Sequence, residues 1–295
     1  MNEKRAGECA IQALEQAFSA ILWVIIPAMI LWASNEMFYR SFGAYRRKAI
    51  LATGLIGTPV HELSHAVTAI AFSMKVTSIA LFKPDPQSQT LGYVGYRYNT
   101  ASLLHTFGRF WVGIAPLIGG GVVTHWLLRS SAPGAFHYYV SASDLAAVFD
   151  GQITPVFEAM QRWLSDALSH GWRVMDIVLV VAAATVSLHA TPSRADLRDV
   201  LPGLVLTIAT IAGFVVLHES VFPGEWKSGV RIALVSQWVG SMIIQMAVIG
   251  VVLSLLLTIA GVITRVVVRP KGVGPSSVAN DKGASSPGEQ SGNSS

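Results

Sequence analysis

The chain has 295 residues, of which 52% are hydrophobic and only 13% charged, with a mean hydropathy of +0.51. A soluble domain carries about 25% charged residues, so this chain lacks the polar surface to cover itself in water and reads as an integral membrane protein. Its net charge of +4 is scattered over short loops, which favours anchoring beside a lipid bilayer and gives no nucleic-acid surface; the single cysteine, Cys9, excludes an internal disulfide or a multi-cysteine zinc cluster.

A bilayer core about 30 Å thick needs about 20 apolar residues in a helix. Six stretches predict such spans: 18–33, 49–74, 103–128, 174–190, 201–217 and 233–267. The first is read as a retained anchor, because its leading segment is long and holds Glu3, Glu8 and Glu15, unlike a signal peptide. Between the second and third spans, two runs of β-branched and aromatic residues, 76–82 and 91–98, flank a Pro/Asp/Gln/Ser cluster, which predicts a β-hairpin. An open sheet edge cannot face lipid, so the hairpin belongs at the surface or beside a cavity.

The segment 129–173 contains "ITPVFEAMQRWLSDALSHGW". Thr154 is an N-cap with Pro155 after it, and Val156, Met160, Trp163 and Ala167 recur at helical spacing opposite Glu158, Arg162 and Asp166. This predicts an amphipathic helix lying in the membrane interface, with Trp163 and Trp172 at headgroup level. After Arg269 the composition turns to Gly, Ser, Pro and Asn, which predicts a disordered tail over 269–295. The expected fold class is an α-helical polytopic membrane protein: about six transmembrane helices, with a short β-hairpin between the second and third, in one domain over 1–268. Lys and Arg near the span ends place the N-terminus, hairpin and tail on the cytoplasmic side, against the opposing cluster Arg46, Arg47 and Lys48.

The stretch 57–69, "GTPVHELSHAVTA", puts three ionisable groups into the second span. His61 and His65 lie one helical turn apart on the same face, so both imidazoles can reach one metal ion. Glu62 follows His61 directly; in an HExxH pattern this glutamate is the general base, not a ligand. Ionisable residues inside a span are costly and default to function; the competing reading is a packing site where imidazoles hydrogen-bond between helices. Ser64 and Ala66 are small, and Gly57 with Pro59 is expected to loosen the helix one turn earlier. A catalytic zinc takes three protein ligands and a water. Candidates for the third ligand are His189, Asp196 and Asp199 in "SLHATPSRADLRDV", together with Asp176, His218, Glu219, His105 and His125. In "GIAPLIGGG", Pro116 bends the third span and frees a carbonyl, or its small neighbours allow close helix packing.

A transmembrane HExxH followed by a hairpin and a helix with a Gly-Pro break resembles the site-2 protease family of intramembrane zinc metalloproteases. The resemblance covers roughly 54–121, and the fourth span more loosely. It implies that His61 and His65 bind Zn²⁺ with a distant aspartate, and that Glu62 activates water for hydrolysis of a peptide bond. The family's aspartate sits in a Leu-Asp-Gly sequence that this chain lacks. The nearest counterpart, "TPSRADL", is similar to a Pro-Ser-x-x-Asp element of divergent members, which makes Asp196 the implied third ligand and His189 the alternative. The implied substrate is a membrane protein with a transmembrane segment, cut in the cell (inner) membrane; with no PDZ-like domain between the helices, its selection falls to the membrane part, to the 129–173 segment or to another, regulatory membrane protein. A substrate helix has to unwind first, and a hairpin edge could hold the unwound strand by strand addition. Two other functions fit a buried His/Glu motif. A metal-ion transporter needs polar groups lining its path, of which the fifth and sixth spans are nearly bare; a non-catalytic zinc-binding scaffold closes the fourth position and has no use for Glu62.

Overall fold

The structure, a computed structural model, describes residues 3–85, 87, 90–131, 154–198, 200–221, 239–253, 255–256 and 259. They are mostly helical: α1 (Glu3–Ser41), α2 (Arg46–Ala71), α3 (Leu103–Ser131), α4 (Thr154–Ser169), α5 (Val174–His189), α6 (Arg194–Leu197), α7 (Leu201–Val221) and α8 (Val239–Leu253). The expected tail over 269–295, the segment 132–153 and about half of the sixth apolar stretch lie outside the described residues.

The predicted spans coincide with helices, and α1 runs well beyond its apolar run in both directions. Among the described residues one helix, α3, is long and apolar enough to cross a membrane by length and composition; α5, α8 and Leu201–Phe214 of α7 are apolar but shorter. The helix expected in 129–173 is present as α4, with Arg162 reaching Glu158 at 3.5 Å across one turn.

The predicted hairpin forms with slightly shorter strands, β1 (Lys75–Ala80) and β2 (Tyr93–Arg97), antiparallel from Lys75 opposite Arg97 to Ala80 opposite Tyr93, with an irregularity at Thr77. The pairing continues past the strands, where the Lys83 N–H donates to the Leu91 carbonyl at 2.6 Å. The hairpin lies on α2: Val76, Tyr96 and Tyr98 pack against a small core of Ala69, Met74 and Val112.

Helices α2, α3 and α5 pack on one another and form the centre of the molecule. A second set of contacts joins Leu31 of α1 to Ile114 and Leu117 of α3 and to Ile243, Met246 and Ala247 of α8. The faces of α2 are inverted relative to a helix in water. It buries Thr58, Glu62 and His65 and exposes Leu55, Leu63, Val67 and Ile70. Helix α5 exposes Val174, Met175, Ile177 and Val178 and buries Asp176 and Ser187 together with Ala183, Ala184, Val186 and Leu188.

One sequence expectation is corrected here. Gly57 and Pro59 do not loosen α2, which is helical without interruption from Arg46 to Ala71. Gly57 instead permits contact: a Cβ there would run into the Thr185 carbonyl and lie 2.7 Å from Cδ2 of His189. Its missing side chain lets α2 and α5 touch backbone to backbone, one turn before His61.

Candidate metal centre

The 3.6-residue repeat of α2 stacks His61 above His65, and both rings point away from the exposed Leu63 and Val67. The third group arrives from a turn. Pro192 and Ser193 end the link after α5, and Ser193 caps the four-residue α6. The Ser193 hydroxyl accepts the Asp196 N–H at 3.2 Å, and the Asp196 carboxylate accepts the Ser193 N–H at 2.6 Å. This reciprocal capping box fixes the carboxylate's direction. Gly113 of α3 holds the turn in place, because a Cβ there would lie 2.8 Å from the Asp196 carbonyl and 2.5 Å from Val200 Cγ2.

The three side chains meet. Nε2 of His65 lies 3.2 Å from Nε2 of His61 and 3.2 Å from Oδ1 of Asp196, while Nε2 of His61 lies 3.5 Å from Oδ2 of Asp196. Among the described residues these three form a group able to hold a metal ion, with all ligand atoms within 4.8 Å of one another.

The other ring nitrogens identify the hydrogens. Nδ1 of His61 is 2.6 Å from the His189 carbonyl, and Nδ1 of His65 is 2.7 Å from the Val112 carbonyl. A carbonyl only accepts, so each Nδ1 carries the proton and donates it. In the neutral rings both Nε2 atoms are then lone-pair acceptors. Two of them and a carboxylate face one another at contact distance, an arrangement that a cation has to neutralise: a proton or a metal ion.

The donor set fits a metal ion. A tetrahedral zinc site with bonds of about 2.0–2.1 Å separates neighbouring ligand atoms by about 3.3 Å; the two imidazole nitrogens are 3.2 Å apart, and each has one Asp196 oxygen nearby, Oδ1 at 3.2 Å from His65 and Oδ2 at 3.5 Å from His61. Imidazoles that donate their second N–H to a carbonyl are the usual partners of such an ion.

Glu62 is 8% exposed and within electrostatic reach of His61, His65 and Asp196. Its side chain lies under the start of β2, where a Cβ on Gly92 would come within 2.9 Å of Glu62 Cγ. Among the described residues its carboxylate has no hydrogen-bond or ion-pair partner, so its lone pairs are available to a reactant.

The other third-ligand candidates are engaged elsewhere. His189 contributes its backbone carbonyl to His61, but its ring turns away to the Tyr39 hydroxyl at 3.0 Å and the Thr53 hydroxyl at 2.9 Å. Asp176 caps α5 and accepts from Arg173. His105 accepts the Asn99 N–H at 2.8 Å, and His125 hydrogen-bonds Gln245. Asp199 and the side chains of His218 and Glu219 lie outside the described residues. Asp196 does not pair with Arg194 or Arg198, its ordinary partners at a helix end; its carboxylate faces the two imidazoles instead.

Sequence reasoning reached the three side chains but missed what aims them. The capping box was visible in Ser193-x-x-Asp196, and Pro116 signals a freed carbonyl four residues earlier, but nothing in the sequence says that the Val112 and His189 carbonyls meet His65 and His61. Comparison with protein-family models, with curated proteins and with solved structures found no match to this chain.

Proposed function

We propose that this chain is a polytopic membrane protein and an intramembrane zinc metalloprotease of the site-2 protease kind, with His61, His65 and Asp196 holding the ion and Glu62 as general base. The observation that carries the reading is the convergence of three acceptors from α2 and α6 with Glu62 free beside them. Bound there, Zn²⁺ would supply the Lewis acidity that activates a water and polarises a carbonyl. Three protein ligands leave a fourth position for a reactant, whereas a structural site is closed by protein.

The membrane reading is supported by the inverted faces of α2 and α5. Leucine, isoleucine and valine outside with glutamate, histidine and aspartate inside is the arrangement favoured where lipid is the solvent. The shorter apolar helices then lie within the bundle or cross it at a tilt beside α3.

Glu62 takes a proton from the attacking water and returns it to the leaving amine. Burial suits it to this role, since a carboxylate without fixed partners keeps its lone pairs for the transferred proton. The substrate is a membrane protein whose transmembrane helix has unwound near the hairpin. The two-stranded sheet has outer edges, and the start of β2 passes directly over Glu62, so a strand laid along that edge lies beside the general base.

The test uses full-length protein in detergent micelles with an unfolded casein as substrate. Wild type is expected to cleave it, and Glu62→Gln to lose cleavage while keeping its zinc. Equal cleavage by the two proteins would remove Glu62 from the mechanism. Zinc uptake into vesicles that survives Glu62→Gln would favour a transporter instead.

A further inference from the structure

Each imidazole of the metal centre is aimed by a backbone carbonyl, and neither carbonyl has the donor that a helix ordinarily supplies. His189 is the last residue of α5, so its carbonyl is among the four left unpaired at a helix C-terminus. Val112 is different, because it lies inside α3, where a carbonyl accepts from the N–H four residues on. That residue is Pro116, which has no N–H and whose ring presses against the carbonyl four residues earlier. Val112 is 1% exposed, so water cannot satisfy the group. His65 Nδ1 satisfies it at 2.7 Å, from the neighbouring helix.

We propose that Pro116 is a positioning residue for the metal centre. By withdrawing a donor from the Val112 carbonyl, it turns that carbonyl out of α3 toward α2. The carbonyl then fixes His65 in its Nδ1–H tautomer, with the Nε2 lone pair aimed at the cation. The inference rests on the assignment of His61, His65 and Asp196 as ligands. It goes beyond that assignment by making a residue with no polar side chain a determinant of metal affinity. Restoring an N–H at position 116 would draw the Val112 carbonyl back toward the helix axis and release the ring.

The test compares Pro116→Ala and Pro116→Gly with wild type, using Pro27→Ala in α1 as a control for removing a proline from a helix elsewhere. Zinc affinity is measured on full-length protein in micelles by competition with a chelating dye. The tautomer of His65 is read from ¹⁵N shifts of the metal-free, histidine-labelled protein. Both Pro116 variants are expected to bind zinc roughly 10- to 100-fold more weakly, the usual cost of losing an outer partner of a ligand. Both are also expected to move the His65 nitrogens toward a mixture of tautomers, while Pro27→Ala changes neither reading. Wild-type affinity with unmoved His65 nitrogens in either Pro116 variant would overturn the inference. So would a loss in the glycine variant alone, which would assign the effect to a loosened α3 and not to the restored N–H. Wild type that itself binds no zinc would overturn the ligand assignment, and this inference with it.

Discussion

Two polar clusters meet at His189, whose ring belongs to one and whose carbonyl belongs to the other, and they are built on opposite rules. In the first, Asn35 donates to the carbonyls of Ser187 and Leu188 at 3.2 and 3.3 Å, and the Tyr39 and Thr53 hydroxyls meet the His189 ring at 3.0 and 2.9 Å. Donors there find acceptors, and the result ties α1 and α2 to the C-terminal end of α5. In the second, His61, His65 and Asp196 turn acceptor toward acceptor at 3.2 to 3.5 Å. Both clusters contain a buried histidine, so burial alone does not separate structure from function. The facing atoms do: in the first cluster each donor meets an acceptor, with the Asn35 Oδ1 left without a partner among the described residues, and the result is a clasp, whereas acceptors that face acceptors need a cation.

The sharpest way to break this contrast is Asp196→Asn. The amide replaces an acceptor by a donor that can serve the Nε2 lone pairs of His61 and His65. Zinc affinity is expected to fall by more than the roughly 100-fold that losing an outer partner costs, while the melting temperature of the metal-free protein is unchanged or rises. A metal-free variant that melts well below wild type would show that the cluster was already balanced.

Asn35→Ala has the opposite signature. It leaves the Ser187 and Leu188 carbonyls without their side-chain donor, which costs about 1–3 kcal/mol of stability, with little change in zinc affinity. Denaturation in micelles and dye competition on the same preparation measure the two effects. A large loss of affinity with little loss of stability would erase the distinction between the clusters.

The smallest effect is expected outside both clusters, where Glu36 at the end of α1 accepts from Arg46 at 2.8 and 3.0 Å and from Arg40 at 2.7 Å. The guanidinium of Arg46, helped by Arg40, holds the Glu36 carboxyl down at about 2, below its ordinary 4.5. A lowered carboxyl stabilises the fold above its unfolded value, and that contribution is lost as pH falls from about 4.5 to about 2. Glu36 is 26% exposed and its partners Arg46 and Arg40 are 40% and 75% exposed, so screening by solvent keeps the loss to about 1 kcal/mol. Glu36→Gln should remove that part of the acid dependence and leave zinc binding alone; an unchanged acid profile would show that the pair contributes nothing.

Much of this was legible in the sequence, for identifiable reasons. The hairpin announced itself through two β-rich runs around a turn cluster, and α3 and α5 through unbroken apolar runs. His61 and His65 were readable because four residues is one helical turn, and Asp196 only through the resemblance of "TPSRADL" to a Pro-Ser-x-x-Asp element; that Ser193 caps it is a finding of the structure. Pro116 announced a freed carbonyl but not the side chain it would meet, and the His189 carbonyl had no such marker. Any residue could stand at position 112; only the pairing of α2 with α3 shows that its oxygen meets His65. Gly57 was misread for a similar reason. Its local meaning is a flexible helix, but its neighbour across the interface, Thr185, makes it a contact point. The full extent of α1 was also invisible, since hydropathy reports its apolar middle and not its polar ends.

The central claim is that a metal ion, and not a proton, balances the three acceptors. Elemental analysis of full-length protein, purified in detergent and equilibrated with zinc before removal of the excess, tests it directly. The account predicts one zinc per chain in wild type and none in His65→Ala. A wild-type chain that stays metal-free in excess zinc would contradict it, and would leave an imidazolium–carboxylate pair as the occupant of the cluster.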